Sequence, residues 1–381
     1  MKESQAMHVL QFICSTGFYG AERWILAMCN NTHDQNVKYS LAVTDEAASQ
    51  DLEIARHFKA DCGDVYQLPM ANKFDFKAVS RLADYIKANK VDVVHTHGYK
   101  SDIIGVMAAR KAGVPVVVTP HGFENAKDFK LRLFIWLGCQ AMKYADHVVP
   151  LSPQLVKDCE AYNIKAPQLV YIQNGVDLSE VERFKNKETA QTKTKKRVGF
   201  IGQMISRKNI TDLLDVFDAL HQKMENVELV LLGDGESRPS LEEHAASLSS
   251  KADIHFLGYR DDRLDYLKSF DIFAMTSTLE GIPRCLMEAC AMETPVAAYD
   301  IAGIDQLISH EKTGMLSPLG DKAHLLTCWE RLLTDTDYAK ALGKNACDYV
   351  NEYYSAKRMA DEYIALFNTL LQSSNIKEAA L

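Results

Sequence analysis

Two glutamates eight residues apart lie in the segment TSTLEGIPRCLMEACAMETPV. A strand is predicted to end near Thr278, Gly281 permits a turn, and Pro283 suits the first helical position because its missing N–H would be unpaired there. Glu280 then lies at the helix mouth, and Glu288 lies about a turn and a half inside the helix. Helix N-termini bind phosphate. The pattern therefore predicts a ligand with phosphates at the mouth, sugar hydroxyls on Glu280 and ribose hydroxyls on Glu288.

The alternative is that Glu280 is an ordinary first-turn acid and Glu288 a surface residue. Glu288, however, lies within the apolar stretch CLMEACAM. A buried carboxylate without a partner is costly, so this position favours a functional or paired side chain.

Two cations form a second candidate phosphate site in IGQMISRKNITDLLDVF. Arg207 and Lys208 follow a predicted strand and precede a helix that Asn209 or Thr211 could cap. Cations beside a helix N-terminus would neutralise a diphosphate, whereas two solvated loop charges are the alternative.

The first half of the chain carries a glycine loop and three histidines, all following predicted strands. In STGFYGAERW, Gly17 and Gly20 flank a turn that allows close approach of an anion, with a plain tight turn as the alternative. His95, His97 and His121 end strands in VVHTHGYK and VVVTPHGF. A single such histidine is usually structural, but three at neighbouring strand ends favour a binding or catalytic role for at least one.

Short apolar runs alternate with helical segments along the whole chain, which is typical of an α/β fold with buried parallel strands. In such open sheets, ligands bind at the carboxyl ends of the strands. The length of 381 residues indicates two domains. We predict domains at 1–182 and 198–354, joined by a polar linker at 183–197, with a last helix within 355–381 packing back on the first domain.

Composition excludes several classes of protein. The net charge of −8 argues against general nucleic-acid binding, which needs a basic footprint. The nine cysteines include no CxxC pair, so neither a disulfide framework nor a structural metal is indicated. No apolar run reaches the roughly 18 residues of a membrane span. We expect a cytoplasmic protein.

Together these motifs resemble those of the retaining glycosyltransferases of family 4, which have the GT-B fold of two Rossmann-like, doubly wound parallel-sheet domains facing a central cleft. The segment EGIPRCLME matches the Glu-x7-Glu motif of that family, and GAER, HG, NGVD and EKTGML are similar to its other motifs. The donor residues expected from the motifs and the resemblance are Gly20, Gly202, Arg207, Lys208, Tyr259, Arg260, Glu280, Gly281, Ile282, Pro283, Arg284 and Glu288. The expected catalytic residues are His121, Glu280 and Lys208. The expected acceptor residues are His97, Glu22 and Arg23.

The resemblance implies an enzyme that moves a hexose from a nucleotide-diphosphate donor, with UDP as carrier, to a hydroxyl of a glycan or lipid-linked acceptor. The expected setting is the synthesis of cell-surface polysaccharide or glycoconjugate. The resemblance also implies retention of the anomeric configuration. We expect no cofactor and no metal, because the Asp-x-Asp spacing that could hold a metal, at Asp335 and Asp337, lies away from any predicted strand end. A sugar-nucleotide epimerase or hydrolase is one alternative. A non-catalytic nucleotide-sugar binding subunit is another, favoured by Gln203 where the family usually has a diphosphate-binding arginine.

The segment Asn125–Tyr144 combines lysines and arginine with a run of large apolar residues. Such a helix could contact an anionic membrane that carries a lipid-linked acceptor, at the inner face of the cell membrane. The composition favours a buried core helix with basic ends over this interpretation.

Overall fold

The computed structural model describes residues 6–15, 17–32, 36–45, 52–72, 75, 77–122, 129–187 and 194–379, without the side chains of 129–131 and 374–379. The chain divides into two compact units. Unit 1 consists of Met1–Gly175 together with Ala356–Leu381, and unit 2 of Val176–Ser355. Each contains one six-stranded parallel sheet, so the predicted α/β class with two doubly wound sheets is confirmed.

In unit 1 the strands occur in the order β3-β2-β1-β4-β5-β6, all parallel. They are β1 Met7–Ile13, β2 Val37–Asp45, β3 Gly63–Pro69, β4 Val93–His97, β5 Val116–Val118 and β6 His147–Val148. The helices, numbered along the chain, are α1 Gly20–Asn30, α2 Glu53–Asp61, α3 Lys77–Ala88, α4 Tyr99–Ala112, α5 Phe129–Met142, α6 Pro153–Ala161 and, at the end of the chain, α14 Ala356–Ala379.

The strand order of unit 1 reverses between β1 and β4, so the loops after these strands open at the point where such sheets bind ligands. All seven residues of β1 and all five of β4 are buried. Helix α14 packs through Met359, Tyr363 and Phe367 into the same core as β1. The last helix therefore belongs to unit 1.

Unit 2 repeats this arrangement with the strand order β12-β11-β10-β7-β8-β9, again all parallel. Its strands are β7 Lys196–Ile201, β8 Val227–Leu232, β9 Ile254–Gly258, β10 Ile272–Met275, β11 Val296–Asp300 and β12 Met315–Pro318. Its helices are α7 Leu178–Lys185, α8 Ile210–Lys223, α9 Arg238–Ser247, α10 Arg263–Ser269, α11 Arg284–Ala291, α12 Lys322–Thr334 and α13 Thr336–Tyr353. The strand order reverses between β7 and β10.

The first predicted boundary differs from the structure. The units divide at Gly175, and the segment predicted as the linker 183–197 contains the end of α7 and the start of β7. Helix α7 belongs to unit 2 because Val181 is buried in its core and Glu180 forms ion pairs with Arg263 and Arg284. The polar composition of this segment indicated a connector. The partners of Glu180 lie about a hundred residues away in the sequence, so composition alone could not identify them. In the described part of the chain, none of the helices is long and apolar enough to span a bilayer.

Candidate active site

The loops after β7 and β10 are bonded to each other at the reversal point of unit 2. The Thr278 amide donates to the Arg207 carbonyl oxygen at 2.8 Å, and the Thr276 hydroxyl donates to that of Asn209 at 2.8 Å. Asn209 has a left-handed φ of 46°, which ends a short 3-10 turn over Ser206–Lys208 before α8 begins. These contacts hold the two predicted phosphate sites side by side.

Glu280 lies between the two cations of the first loop. Lys208 Nζ donates to Glu280 Oε1 at 2.5 Å, and an Arg207 guanidinium N–H donates to Oε2 at 3.4 Å. The side chains of Glu280 and Lys208 are 5% and 8% exposed, whereas that of Arg207 is 45% exposed. The structure thus brings together three of the predicted donor residues, two buried and one open to solvent.

Helix α11 begins one residue later than predicted, at Arg284, because Pro283 is its extended N-cap with ψ of 124°. The Pro283 carbonyl oxygen accepts from the amides of Leu286 and Met287. The first amides of an α-helix have no partner within the helix, so those of Arg284 and Cys285 have no acceptor within α11. Burial raises the pKa of Cys285 to about 11, so it is a neutral thiol at this mouth.

Glu288 is buried inside α11 and held by two arginines. Arg263 donates to it at 2.8 and 3.3 Å and Arg284 at 2.8 Å, and Glu180 accepts from both arginines. Burial alone would raise the pKa of Glu288, but the two guanidinium charges and their hydrogen bonds lower it to about 2. The same carboxylates raise the pKa of Arg263 against the effect of its own burial. Glu288 is therefore a paired anion.

Sequence reasoning missed Glu180 and Arg263. They belong to helices α7 and α10, which lie far from Glu288 in sequence. Arg263 does follow β9 by a few residues, so its place near a strand end is the signal that could have identified it.

Glycines permit close contact between the loops of this site. Gly303, with φ of 93°, lies so near the loop of Gly281 that an added Cβ would be 1.7 Å from the Gly281 carbonyl oxygen. Gly233, with φ of 125°, approaches Gly202 almost as closely, and its added Cβ would be 1.9 Å from the Gly202 carbonyl oxygen.

We expect Gly303→Ala to displace the Glu280 loop and to lower the free energy of unfolding by about 2–3 kcal/mol. Urea titration and UDP binding measure the two effects. Gly320→Ala is the matched control, because Gly320 has a similar φ of 80° but no heavy atom of the described structure lies within 4 Å of its added Cβ. Equal losses in the two variants would show that backbone strain alone, and not the Gly281 contact, is responsible.

The remaining predicted donor residues differ in their surroundings. Ile282 is buried in the core of unit 2. Arg260 makes a bidentate pair with Asp262, both contacts at 2.8 Å, beside an exposed Tyr259. Gln203 is exposed. The donor-binding role of Tyr259 and Arg260 stays a prediction.

The three histidines of unit 1 lie together around Trp24, whose ring centroid is 5.4 to 5.8 Å from each of theirs. His97 Nδ1 is 3.0 Å from His121 Nε2, and His97 Nε2 is 2.8 Å from Gln11 Oε1. His95 instead contacts the Thr119 hydroxyl at 2.8 Å. Burial lowers the pKa of His121 to about 4 and those of His95 and His97 well below their ordinary value. All three are neutral at pH 7.

Two of the three predicted acceptor residues have other roles in unit 1. His97 is 2% exposed and both its ring nitrogens contact protein groups, so it offers neither to an acceptor. Glu22 caps its own helix, accepting from the Tyr19 amide at 2.9 Å and the Ser15 hydroxyl at 2.5 Å. The guanidinium of Arg23 lies 4.5 Å from the centre of the Phe18 ring.

Gly20, predicted to bind the donor, is the exposed first residue of α1. In the described structure an added Cβ would have no heavy atom within 4 Å, so packing does not require glycine at this position. Among the described residues, no group of three or more His, Cys, Asp or Glu side chains is arranged to hold a metal ion.

Two family models match the chain, one to each half. Residues 18–180 match Glycosyltransferase Family 4, and residues 181–348 match Glycosyl transferases group 1. The chain is 31% identical to the UDP-Gal:alpha-D-GlcNAc-diphosphoundecaprenol alpha-1,3-galactosyltransferase of Escherichia coli, over 75% of this chain and 77% of that protein. It is 22% identical to the capsular polysaccharide biosynthesis glycosyltransferase CapM of Staphylococcus aureus, over 80% of this chain and 83% of that protein.

The fold is similar to that of Anabaena HepE, whose crystal structure contains UDP and glucose. The TM-score is 0.78 at 19% identity, with 95% of this chain and 99% of HepE covered. The family matches and the galactosyltransferase relative indicate the same family. The two doubly wound sheets are consistent with the fold of that family. The chain therefore belongs to the group 1 glycosyltransferases, of the family 4 type, and has the GT-B fold.

Proposed function

We propose that this glycosyltransferase moves a hexose from a UDP-sugar to a hydroxyl of a glycan or lipid-linked acceptor, with retention, during synthesis of a cell-surface polysaccharide. The names of the E. coli and S. aureus relatives and the UDP bound to HepE support the donor, acceptor and setting. Family 4 membership supports retention.

The observation that carries this proposal is the position of Glu280. Its carboxylate is held between Lys208 and Arg207, shortly before Pro283, the N-cap of α11. A diphosphate at this mouth would meet two cations and a helix N-terminus, while the carboxylate would accept from hydroxyls of the attached sugar.

Transfer requires stabilisation of the negative charge that grows on the diphosphate as the bond between the sugar carbon and the phosphate oxygen breaks. Lys208 and Arg207 would supply that charge, with Arg207 taking the place of the family arginine at Gln203. The leaving phosphate oxygen takes the proton of the acceptor hydroxyl. His121 is neutral at pH 7, so it would orient the sugar through a hydrogen bond and would not add a positive charge to the site.

Incubation with radiolabelled UDP-hexoses, with and without candidate acceptors, tests the proposal. Transfer of label only when acceptor is present supports it. Conversion or hydrolysis of the donor without acceptor would indicate the epimerase or hydrolase alternative. Binding of UDP-sugar with no turnover under any condition would indicate a binding subunit. The anomeric proton coupling in the product's NMR spectrum tests retention.

We propose further that transfer needs no divalent metal, since the cations and amides at the α11 mouth can neutralise the diphosphate. Activity that survives EDTA supports this. Activity that EDTA abolishes and added Mg²⁺ or Mn²⁺ alone restores contradicts it.

The exposed face of α5 supports a membrane contact. Part of the predicted segment, residues 125–128, lies outside the described residues. Leu133, Trp136 and Leu137 recur at helical spacing and are 47%, 51% and 40% exposed, while Ile135 on another face is buried. Arg132 is exposed beside this stripe. Exposed aliphatic and indole groups with a basic neighbour fit the surface of an anionic bilayer, which we propose as the occupant.

Trp136→Ser with Arg132→Gln is expected to weaken cosedimentation with phosphatidylglycerol vesicles about 10-fold or more, because both apolar contact and charge attraction are lost. Leu319→Ser, which changes an exposed leucine of unit 2, is the matched control. Phosphatidylcholine vesicles should bind the wild type weakly. Undiminished sedimentation of the double variant with anionic vesicles would remove the proposed contact.

A further inference from the structure

Gln11 is a buried polar residue in the middle of an apolar strand. The sequence of β1 is MHVLQFI, and Gln11 has no solvent exposure. Its side chain reaches the end of the neighbouring strand β4, where its Oε1 is 2.8 Å from His97 Nε2. The other ring nitrogen of His97 is 3.0 Å from His121 Nε2. The three side chains thus form one hydrogen-bonded row that ends at His121, the half-buried member.

The direction of hydrogen bonding in this row follows from the amide of Gln11. Its Nε2 lies 4.0 Å from Met28 Sδ, a weak acceptor, and its Oε1 faces His97. The reversed amide would place two acceptors, Oε1 and Sδ, against each other. Because a carbonyl oxygen only accepts, His97 must carry its proton on Nε2.

The positions of the protons on His97 and His121 follow from this orientation of Gln11. Burial and the neighbouring histidines keep His97 neutral by lowering its pKa, so its Nδ1 has a lone pair and accepts. His121 must therefore donate from Nε2. Since burial lowers the pKa of His121 to about 4, it is also neutral, and its Nδ1 is left as an acceptor.

The rest of the cluster does not compete for these atoms. His95 bonds to Thr119, whose hydroxyl in turn contacts the Tyr363 hydroxyl at 2.8 Å. Trp24 packs its ring against all three imidazoles and so restricts their rotation. In the described structure, the titratable side chains in ring contact with His97 are His95 and His121.

We propose that Gln11 and His97 are positioning residues that fix the proton of His121 on Nε2 and present its Nδ1 as an acceptor for a hydroxyl of the sugar substrate. The tautomer follows from the geometry of unit 1, whereas the hydroxyl as ligand rests on the proposed function. A neutral acceptor in a fixed tautomer selects a hydroxyl donor and rejects a carboxylate or phosphate oxygen, which cannot donate when ionised. Without the Gln11 acceptor, the proton of His97 can occupy either ring nitrogen, and His121 can then adopt either tautomer.

Nitrogen-15 NMR of the full chain with labelled histidine tests the tautomer without any activity measurement. At pH 7 we expect His97 and His121 to be protonated on Nε2 only. His121→Asn identifies the His121 signals. A wild-type spectrum in which His121 is protonated on Nδ1, or averages between the two tautomers, overturns the proposal.

Variants of Gln11 then test its control over His121. Gln11→Glu places a carboxylate against His97, which raises the pKa of His97 and makes its Nδ1–H a donor, so the proton of His121 should move to Nδ1. Gln11→Met removes the acceptor and should leave a mixture of tautomers. Leu10→Val is the control and should keep the wild-type tautomer, because Leu10 lies in the same strand but packs into the core on the opposite face of the sheet. An unchanged His121 spectrum in both Gln11 variants contradicts the proposal, and circular dichroism and melting temperature confirm that each is folded.

Transfer assays provide a separate readout. Both Gln11 variants should lose about 10-fold in kcat/KM, the effect of one hydrogen bond, while the Kd for UDP stays unchanged because unit 2 is untouched. If the wild type has the expected tautomers but transfers no sugar, the proposed function is refuted and the tautomer assigned to His121 still holds. Altered tautomers with full transfer activity would refute the role of Nδ1.

Discussion

Lys208→Met is expected to lower kcat/KM for sugar transfer by about 100- to 1000-fold, the range found when one preorganised charge-stabilising donor is removed from an active site. Lys208 Nζ is 2.5 Å from a Glu280 oxygen and only 8% of its side chain is exposed. Methionine keeps the length and apolar stem of lysine but supplies no charge to the diphosphate. Initial rates over a range of UDP-sugar concentrations measure the effect.

The same substitution should also destabilise the fold, because Glu280 stays buried and, among the described residues, keeps only the exposed Arg207 as a cationic partner. We expect a loss of about 2–4 kcal/mol in the free energy of unfolding. The double variant Lys208→Met with Glu280→Gln removes the unpaired charge and should recover most of this stability without recovering activity. Recovery of both would show that Lys208 serves only to neutralise Glu280. Arg238→Met, which changes a cation paired with Glu242 on the exposed side of α9, is the control.

Glu288→Gln is expected to lower the free energy of unfolding by about 3 kcal/mol, because among the described residues Arg263 and Arg284 keep only Glu180 as an anionic partner. UDP affinity should fall about 10-fold or more, since a ribose hydroxyl loses its carboxylate and the arginines are no longer held. Thermal unfolding and calorimetric titration with UDP measure the two losses.

The pH dependence distinguishes this anion from an ordinary surface acid. The pKa of Glu288 in the folded protein is about 2, below its ordinary 4.5, so its stabilisation is complete above pH 4.5 and is lost as pH falls from 4.5 towards 2. In this window the wild type should lose stability more steeply than Glu288→Gln. Glu242→Gln, an exposed acid paired with Arg238, should keep the wild-type slope. Parallel slopes for the wild type and Glu288→Gln would contradict the paired-anion description.

The sequence predicted the sheets and the main donor motif because both depend on local patterns. Continuous apolar runs identify buried parallel strands, and a glycine and a proline after a strand identify the α11 mouth to within one residue. The structure adds contacts between residues that are distant in sequence. The pairing of Glu288 with Arg263 depends on α10 and α11, which both pack against α7. CLMEACAM indicates that Glu288 needs a partner but not which residues supply it.

Two of the predicted acceptor residues show which structural roles the sequence could indicate. Glu22 lies three residues after Tyr19 at a helix start, the spacing of a capping box, so its structural role could have been predicted locally. The role of His97 could not, because it depends on Gln11 from another strand and on His121 from the next loop. Position at a strand end correctly placed all three histidines together but did not indicate which of them faces protein on both ring nitrogens.

A crystal structure of the UDP complex tests the central claim most directly. We predict that the diphosphate lies at the mouth of α11, with a phosphate oxygen within hydrogen-bonding distance of Lys208 Nζ and of the amides of Arg284 and Cys285, and with the ribose at Glu288. UDP bound elsewhere in unit 2, with Lys208 still directed only at Glu280, would contradict the assignment of this site.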